Sequence, residues 1–525
     1  VAACKAMASL PDPLSTLLQP RAYPHAVRDV QLVETHMSWV LLTGEFAYKI
    51  KKPVNYSFVD LRSPERRAFY CREELRLNRR FTRNLYIEVC EITVTDGTAS
   101  IAGQGEAVDH AVRMRQFEAS QELDRLLADS RIEPVELDSF GRELAAIHRQ
   151  LPVDQGPDAA GRPETTRKIL LENLEQCQQG AALLGTDDVM RALRQPYVVR
   201  VAEADEWLER RWQQGHVREC HGDLHSRNVV KYGGRLVAFD CIEFDPSFRW
   251  IDVADDVAFL MMDLGARQFP LHAHAFRSGY LAESGDFAAC RMLRLYQTHR
   301  ALVRAKVTAL EAAGKEGSGR ESALEQHRGY LRDAEQQLAV RQPMLLLMFG
   351  LSGSGKTWLA ERLARPLDAV HIRSDVERKR LAGLAEQQQS HSGLGRDLYS
   401  PGKSAEMYER LADCAGHALA GGYTAIVDAA FQRRSDRARF KTLAAQYGCE
   451  LRVIHCHAPR VELETRLADR SRARRDASEA DREVLAWQER HLEPLQVSEG
   501  LATVDADTTA ENVADDVRHS LLRNP

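Results

Sequence analysis

The chain has 525 residues, and at roughly 150 residues per domain it is too long for one ordinary core. A hydrophobic share of 44% beside 28% charged residues is that of a soluble globular protein of several units. A net charge of −5 argues against a general nucleic-acid coat, although local basic patches stay open, and no apolar run approaches the ~18–20 residues that cross a bilayer.

The opening "VAACKAMASLPDPL" is too short and too weakly apolar to read as a secretory signal. Ten cysteines are scattered without a CxxC pair, which predicts reduced, mostly buried thiols and a cytoplasmic protein. "ETHMSWVLLTGEF" at 34–46 predicts a β-hairpin, and "FAYKIKKPV" at 46–54 a strand. Alternation puts Lys49 and Lys51 on one face of that strand and Lys52 on the other. "SPERRAFYCREELRLNRRF" at 63–81 predicts a helix carrying Glu73 and Glu74. "HAVRMRQF" at 110–117, with Met114, predicts a further strand.

"HGDLHSRN" at 221–228 is an odd mixture for a structural element. Phosphoryl transfer needs a carboxylate near the attacking hydroxyl and oxygen ligands that hold Mg²⁺ on the phosphates. His221, Asp223, Leu224 and Asn228 reproduce the H-R-D-L-x-x-x-N spacing of a kinase catalytic loop, with Gly222 in place of Arg. "RLVAFDCIEFD" then supplies a short apolar strand ending at Asp240.

Residues 291–313 and 321–342 predict two long helices, separated by the flexible "GKEGSGR". Arg300 and Arg304 lie one turn apart there, either as an anion site or as a solvated helix face. Near 342 the pattern changes. "MLLLMF" reads as a buried parallel strand, and "GLSGSGKT" at 350–357 satisfies G-x-x-x-x-G-K-[ST] between that strand and the helix "TWLAERLA". Amides of Gly350, Ser352, Gly353, Ser354 and Gly355 would cradle phosphates, Lys356 would reach the β/γ-phosphates and Thr357 would ligate Mg²⁺. "AVHI" leads into Arg373-Ser374-Asp375 and Arg378, while "EQQQSHSGLG" at 386–395 predicts a mobile loop. "YTAIVDAAF" predicts a strand ending near Asp428, which either positions Mg²⁺ or caps the strand. In "LRVIHCHA", His455 and His457 share a strand face that Cys456 does not, a weak pattern for a metal. Arg466 and Arg470 follow at helical spacing, with Arg474 a turn further.

Together with "AFDCIEFD" and "IDVADDVAFL", the HGDLHSRN segment resembles the aminoglycoside phosphotransferase-like branch of the protein-kinase fold, over about residues 25–310. The resemblance implies Asp223 as catalytic base, Asn228 and Asp240 as Mg²⁺ ligands, His221 as a brace of the loop and Asp252 as a structural carboxylate. It also implies a phosphate-pairing lysine, with Lys49 preferred to Lys51 because an apolar residue follows it. Its helix partner is Glu74, narrowly preferred to Glu73, and Met114 lies where the small lobe meets the hinge beside the adenine. Two features depart from the family: no Gly follows Asp240, and Glu243 lies three residues on, as a further ligand or a supporting group. A Gly-rich nucleotide loop is also absent, which points to small-molecule kinases rather than protein kinases.

Residues 343–525 resemble the small P-loop kinases: gluconate kinase, chloramphenicol phosphotransferase, zeta-toxin-like enzymes and polynucleotide 5′-kinases. That resemblance implies Asp375 at the acceptor hydroxyl and an arginine lid from Arg466 and Arg470. No second AAA+ signature accompanies the P-loop, so a remodelling machine is not expected.

The expected fold is an α+β bilobal protein-kinase-like domain followed by an α/β P-loop NTPase domain with a mainly parallel sheet. The expected divisions are an N-terminal extension (1–24), a small lobe (25–118), a large lobe with helical connector (119–341) and a P-loop domain (342–525). The expected function is a bifunctional phosphotransferase using ATP and Mg²⁺ at two separate sites, each phosphorylating a hydroxyl of a small molecule. The alternatives are a nucleotide-gated regulatory or toxin-like kinase, or a kinase of nucleic-acid 5′ ends. The second rests on Arg433, Arg434, Arg437 and Arg439 and is disfavoured by the overall acidity. No membrane partner is expected.

Overall fold

The structure, a computed structural model, describes residues 10–523 except 57–58, 157–158, 314, 387, 389–399 and 474–481. Most of the loop expected at 386–395, and Arg474, therefore lie outside the described residues. The chain forms two compact units, Val1–Gly180 with Val201–Phe269, and Ala181–Arg200 with Pro270–Pro525.

The first unit mixes helix and sheet. Its antiparallel sheet contains β1 (Gln31–Glu34), β2 (Ser38–Leu42), β3 (Phe46–Lys51), β4 (Tyr86–Thr95), β5 (Thr98–Ile101) and β6 (Glu106–Arg115), in the order β1-β2-β3-β6-β4-β5. Between β3 and β4 runs α1 (Pro64–Asn78). Its start is written locally: the Ser63 hydroxyl accepts from Arg66 N, Pro64 opens the first turn, and Glu65 faces the positive end of the helix dipole. Residues before the sheet also pack on it, for Leu10, Leu14, Leu17 and Tyr23 are buried against Tyr48, Ile50 and Ile92.

Further along, β7 (Val229–Tyr232) and β8 (Arg235–Ala238) form a hairpin around Gly233 and Gly234, both with positive φ, as a two-residue turn requires. Val229 pairs with Ala238, so Asn228 and Asp240 leave the hairpin at the same end. Helix α2 (Val253–Ala266) follows, capped by Asp252, whose carboxylate accepts from Ala254 N at 2.9 Å.

The second unit starts with helices that the change of pattern near 342 does not separate from it. Within helix Pro270–Ser284, Arg277 pairs with Asp368 at 2.8 Å and lies over the Tyr423 ring. On α3 (Cys290–Ala313), Arg294 covers that ring from 4.2 Å and donates to the Gly421 carbonyl. A Cβ on Gly421 would stand 2.2 Å from the Cys290 carbonyl, so glycine is required there. Helix α4 (Gly317–Leu338) begins inside the expected glycine-rich break. Then comes an all-parallel sheet of β9 (Met344–Phe349), β10 (Val370–Arg373), β11 (Ala425–Asp428), β12 (Glu450–His457) and β13 (Ala502–Asp507), in the order β10-β11-β9-β12-β13. The apolar run of β9 is buried because it is the central strand. Helices α5 (Lys356–Ala364), α6 (Ser374–Leu381), α7 (Arg460–Ala473) and α8 (Arg482–His491) surround its carboxyl end, where ligands of open α/β sheets bind.

The described cysteines are all free thiols, and all but Cys449 are buried. Among the described residues no helix is long and apolar enough to cross a membrane.

His299 on α3 is buried, and burial first, then Arg300 and Lys306, pushes its imidazole well below the ordinary histidine range. The unfolded chain therefore takes up a proton that the folded chain refuses. Stability from this group is complete above the ordinary histidine value of about 6.5 and falls as the pH drops below it. The slope approaches about 1.4 kcal/mol per pH unit. Chemical denaturation between about pH 7.5 and pH 5 should show His299→Gln losing less stability than the parent chain. Equal losses would contradict this.

Candidate functional site

Five charged side chains meet where β3, α1 and the segment after β8 converge. Lys49 Nζ lies 2.8 Å from Glu74 Oε1 and donates to Asp240 Oδ1 at 2.5 Å. Lys51 Nζ donates to Glu74 Oε2 at 2.7 Å and to Glu243 Oε1. Glu73 turns away, pairing with Arg76 at 2.8 Å. Glu74 is thus the helix carboxylate that reaches the lysines, and both lysines reach it. Burial disfavours the Lys49 ammonium, yet Asp240 and Glu74 hold its pKa well above the ordinary value. Asp240 itself takes the left-handed backbone, φ 64°, while its N–H donates to the Tyr86 hydroxyl at 3.2 Å. The bend that a glycine after the aspartate would allow is made at Asp240 itself, and Asn78 Oδ1 accepts from Cys241 N at 3.0 Å. Met114 is buried near the end of β6 beside Ala47, Tyr86, Val230 and Val237 in one apolar cluster, which Phe117 joins at its edge.

The residues of the 221–228 loop stand beside this network. Asn228 Nδ2 donates to Asp223 Oδ2 at 3.0 Å and to the Asp223 carbonyl at 2.9 Å. His225 Nε2 lies 3.4 Å from Asp223 Oδ2. His221 is buried, with its Nε2 at 2.8 Å from the Phe239 carbonyl, so its ring ties the loop to the residue before Asp240. Asp256 on α2 accepts the N–H groups of both His221 and Gly222 at 2.9 Å, and His148 lies 3.3 Å from it. Asp252, in contrast, pairs with Arg211 and caps its helix. Both carboxylates are structural, but the one that grips the loop is Asp256, to which no sequence motif points.

Gly222, where the protein-kinase pattern has Arg, has φ 86°, and a Cβ there would stand 2.5 Å from the Phe248 carbonyl. The backbone at 222 admits no side chain. Gly222→Ala should therefore cost about 1–3 kcal/mol in strain alone and loosen the loop. An unchanged unfolding midpoint in chemical denaturation would contradict this reading.

In the second unit, a cavity of about 350 Å³ opens at the carboxyl end of the parallel sheet. Lys356, Thr357, Asp375, Asp428, Arg466 and Arg470 line it with Ser352, Gly353 and Gly355, whereas Gly350 and Ser354 of the expected cradle are not in its wall. Gly350, Gly353 and Gly355 all have positive φ, and a Cβ on Gly350 would meet the Cys456 carbonyl at 2.3 Å. Lys356 Nζ donates to the Leu351 carbonyl at 2.8 Å, within the loop. Thr357 Oγ1 donates to Asp428 Oδ2 at 2.6 Å. Burial would raise the Asp428 carboxyl, but His371, whose Nε2 lies 3.4 Å away, the hydrogen bond from Thr357 and the charge of Lys356 bring it down to about 2. Arg466 donates to Thr508 Oγ1 at 2.8 Å, which fixes α7 beside the loop. Gln488 on α8 was missing from the sequence reading; its Oε1 accepts the Ser352 N–H at 2.7 Å. His455 and His457 do share a face, and both contact Asp505, at 3.0 and 2.8 Å.

Both sites fit a nucleotide with Mg²⁺ by donor chemistry. The first offers the oxygens of Asn228 and Asp240 beside a lysine, hard donors of the kind Mg²⁺ takes. The second offers Thr357 and Asp428 beside a glycine-bent loop in which Ser352 N–H is held by Gln488 and Ser354 N–H by the Leu351 carbonyl.

Residues 48–293 match the model of the phosphotransferase enzyme family, and residues 345–495 match that of the AAA domain. The uncharacterized protein Rv2004c of Mycobacterium tuberculosis (strain ATCC 25618 / H37Rv) is 28% identical over 459 residues, covering 86% of this chain and 89% of that protein. The uncharacterized protein Mb2027c of Mycobacterium bovis matches over the same shares at the same identity. Among solved structures, a choline kinase from Cryptosporidium parvum Iowa II is 9% identical, covers 59% of this chain and 89% of its own, and has a TM-score of 0.39. The Mycobacterium tuberculosis APS kinase in complex with AMPPNP and APS is 22% identical, covers 35% of this chain and 100% of its own, and has a TM-score of 0.27. Two kinase-type regions, which imply use of ATP, normally with Mg²⁺, thus stand in one chain: it carries a phosphotransferase-family region at 48–293 and a P-loop region of the AAA-domain family at 345–495.

Proposed function

We infer that the chain is a bifunctional ATP-dependent phosphotransferase with two separate ATP–Mg²⁺ sites, each transferring a γ-phosphate to a hydroxyl of a small molecule. The observation that supports this reading is that, in each unit separately, residues expected to hold phosphate and metal come together. Lys49, Glu74, Asn228 and Asp240 converge in one, and the 350–357 loop with Thr357 and Asp428 in the other.

In the kinase-like unit, Asp223 is the base that takes the proton of the acceptor hydroxyl. Asn228 orients its carboxylate through the 3.0 Å hydrogen bond, and His221 and Asp256 hold the loop. Lys49 pairs with phosphate oxygens while Glu74 steadies it, and the apolar cluster around Ala47 and Met114 provides a face for the adenine. Asn228 and Asp240 would hold Mg²⁺, which supplies charge neutralisation at the phosphates.

In the P-loop unit, backbone amides and the start of α5 bind phosphates, Lys356 reaches the terminal ones, and Thr357 with Asp428 would hold the metal. Asp375 stands in the cavity wall as the group for the acceptor hydroxyl, and Arg466 and Arg470 close on the transferred phosphate. The test is a screen of metabolite pools with labelled ATP, using the full chain, Asp223→Asn and Lys356→Ala. Products that vanish with one substitution and persist with the other support two activities. No labelled product from any pool would refute the reading.

A further inference from the structure

We propose that Lys51 and Glu243 form a standing ion pair that fixes Glu74 and the Asp240 segment in place, with Glu243 a positioning residue rather than a metal ligand. The inference rests on the reading of Lys49 and Asp240 as the phosphate and metal end of the kinase-like site, and it deepens that reading.

The two lysines of β3 are not equivalent. Lys51 is only 2% exposed and Lys49 14%. Lys51 hydrogen-bonds to two carboxylates, Glu74 Oε2 and Glu243 Oε1. Lys49 directs its hydrogen bond to Asp240, and its 2.8 Å contact with Glu74 Oε1 is an ion pair off the hydrogen-bond direction. The two oxygens of Glu74 are thus divided, Oε2 anchored by Lys51 and Oε1 turned to Lys49. Glu74 and Glu243 are 0% and 9% exposed, so the Lys51 pairings lie out of water, where they are screened least. Asp240, by contrast, is 43% exposed.

This division has a consequence when a nucleotide enters. Lys49 and Asp240 must part, one toward phosphate and the other toward metal. A helix carboxylate held by Lys49 alone would lose its anchor at that moment. Here Lys51 keeps Glu74 in place whichever partner Lys49 takes. Glu243, three residues past Asp240, makes the same lysine the anchor of the segment that follows the metal ligand. Were Glu243 to turn to a metal, Lys51 would lose one of its two carboxylates in a buried setting, which is unfavourable.

Removing Lys51 leaves the buried Glu243 without its cation, and removing Glu243 leaves Lys51 with Glu74 alone; in the double variant the Glu243 charge is no longer stranded, so the two losses should not add. The test uses the full-length chain in a Lys356→Ala background, so that the P-loop site is silent. Lys51→Met, Glu243→Gln and the double variant are compared by chemical denaturation and by calorimetric titration with a non-hydrolysable ATP analogue, with and without Mg²⁺. Each single variant should unfold at lower denaturant than its parent, and the double variant should lose clearly less than the two single losses added together. In folded protein, each single variant should bind the Mg²⁺–nucleotide about tenfold more weakly, and the double variant, which also lacks the Lys51 anchor of Glu74, no more weakly than Lys51→Met. In all three, Mg²⁺ should still strengthen binding as it does in the parent.

Additive losses in the double variant would overturn the pair. A shifted midpoint with unchanged nucleotide affinity would reduce it to a structural contact and overturn the positioning role. Loss of the Mg²⁺ dependence in Glu243→Gln, to the extent seen in Asp240→Asn, would make Glu243 a ligand and overturn the proposal. If Asp240→Asn keeps its Mg²⁺ dependence, the reading of the site fails instead, and the denaturation of single and double variants still decides the pair.

Discussion

Asp223→Asn should leave ATP binding by the kinase-like unit intact and lower its phosphotransfer by about 10²–10⁴-fold, the usual worth of a positioned general base. The change is nearly isosteric, and an asparagine carbonyl can still accept the hydrogen bond from Asn228 that now reaches Asp223 Oδ2 at 3.0 Å. The loop around it is held by other groups, through Asp256 to the backbone of 221 and 222 and through His221 to the Phe239 carbonyl. The lost quantity is proton acceptance, so the deficit should sit in kcat and not in the affinity for nucleotide. A product assigned to this unit in the metabolite screen provides the assay. Turnover that survives the substitution would remove Asp223 from its role.

Lys356→Ala should weaken nucleotide binding in the P-loop unit by about 3 kcal/mol, roughly two orders of magnitude in Kd. The ammonium now donates to the Leu351 carbonyl inside the loop, so it is placed before any ligand arrives. Burial lowers its pKa from the ordinary lysine value, with Asp428 opposing that shift. A phosphate brings the negative charge that this buried cation lacks, so charge-assisted hydrogen bonds should form at full strength. The glycine cradle is backbone and survives the substitution, which separates loss of charge from loss of fold. Calorimetric titration reads the effect directly, and a Kd within about threefold of the parent would contradict it.

The motifs that were legible in the sequence are the ones whose parts lie close along the chain. His221 to Asn228 and Gly350 to Thr357 each occupy eight consecutive positions, so spacing alone reports their geometry. The tie between Lys49 and Lys51 was undecidable from period-two alternation, because both point to one face; the structure brings both to Glu74. Asp256 escaped because its role is made by contact with backbone 34 and 35 residues earlier, inside a helix start that reads as merely acidic. Gln488 escaped for the same reason, reaching Ser352 across 136 residues. Arg277 joins Asp368 across a change of sequence pattern, so the helices that share a compact unit with the parallel sheet look, in sequence, like part of what precedes them. Gly222, a departure from the kinase pattern, has its explanation only in the nearby Phe248 carbonyl.

The central claim is that the chain carries two nucleotide sites, each complete in its own unit. Calorimetric titration of the full chain with a non-hydrolysable ATP analogue and Mg²⁺ tests it most directly, with Lys356→Ala and Asp240→Ala as comparisons. The account predicts two nucleotides bound per parent chain and one for each variant. Any coupling between the sites should be reciprocal and of about 1–3 kcal/mol. A single nucleotide per parent chain, or loss of both from either substitution, would contradict it.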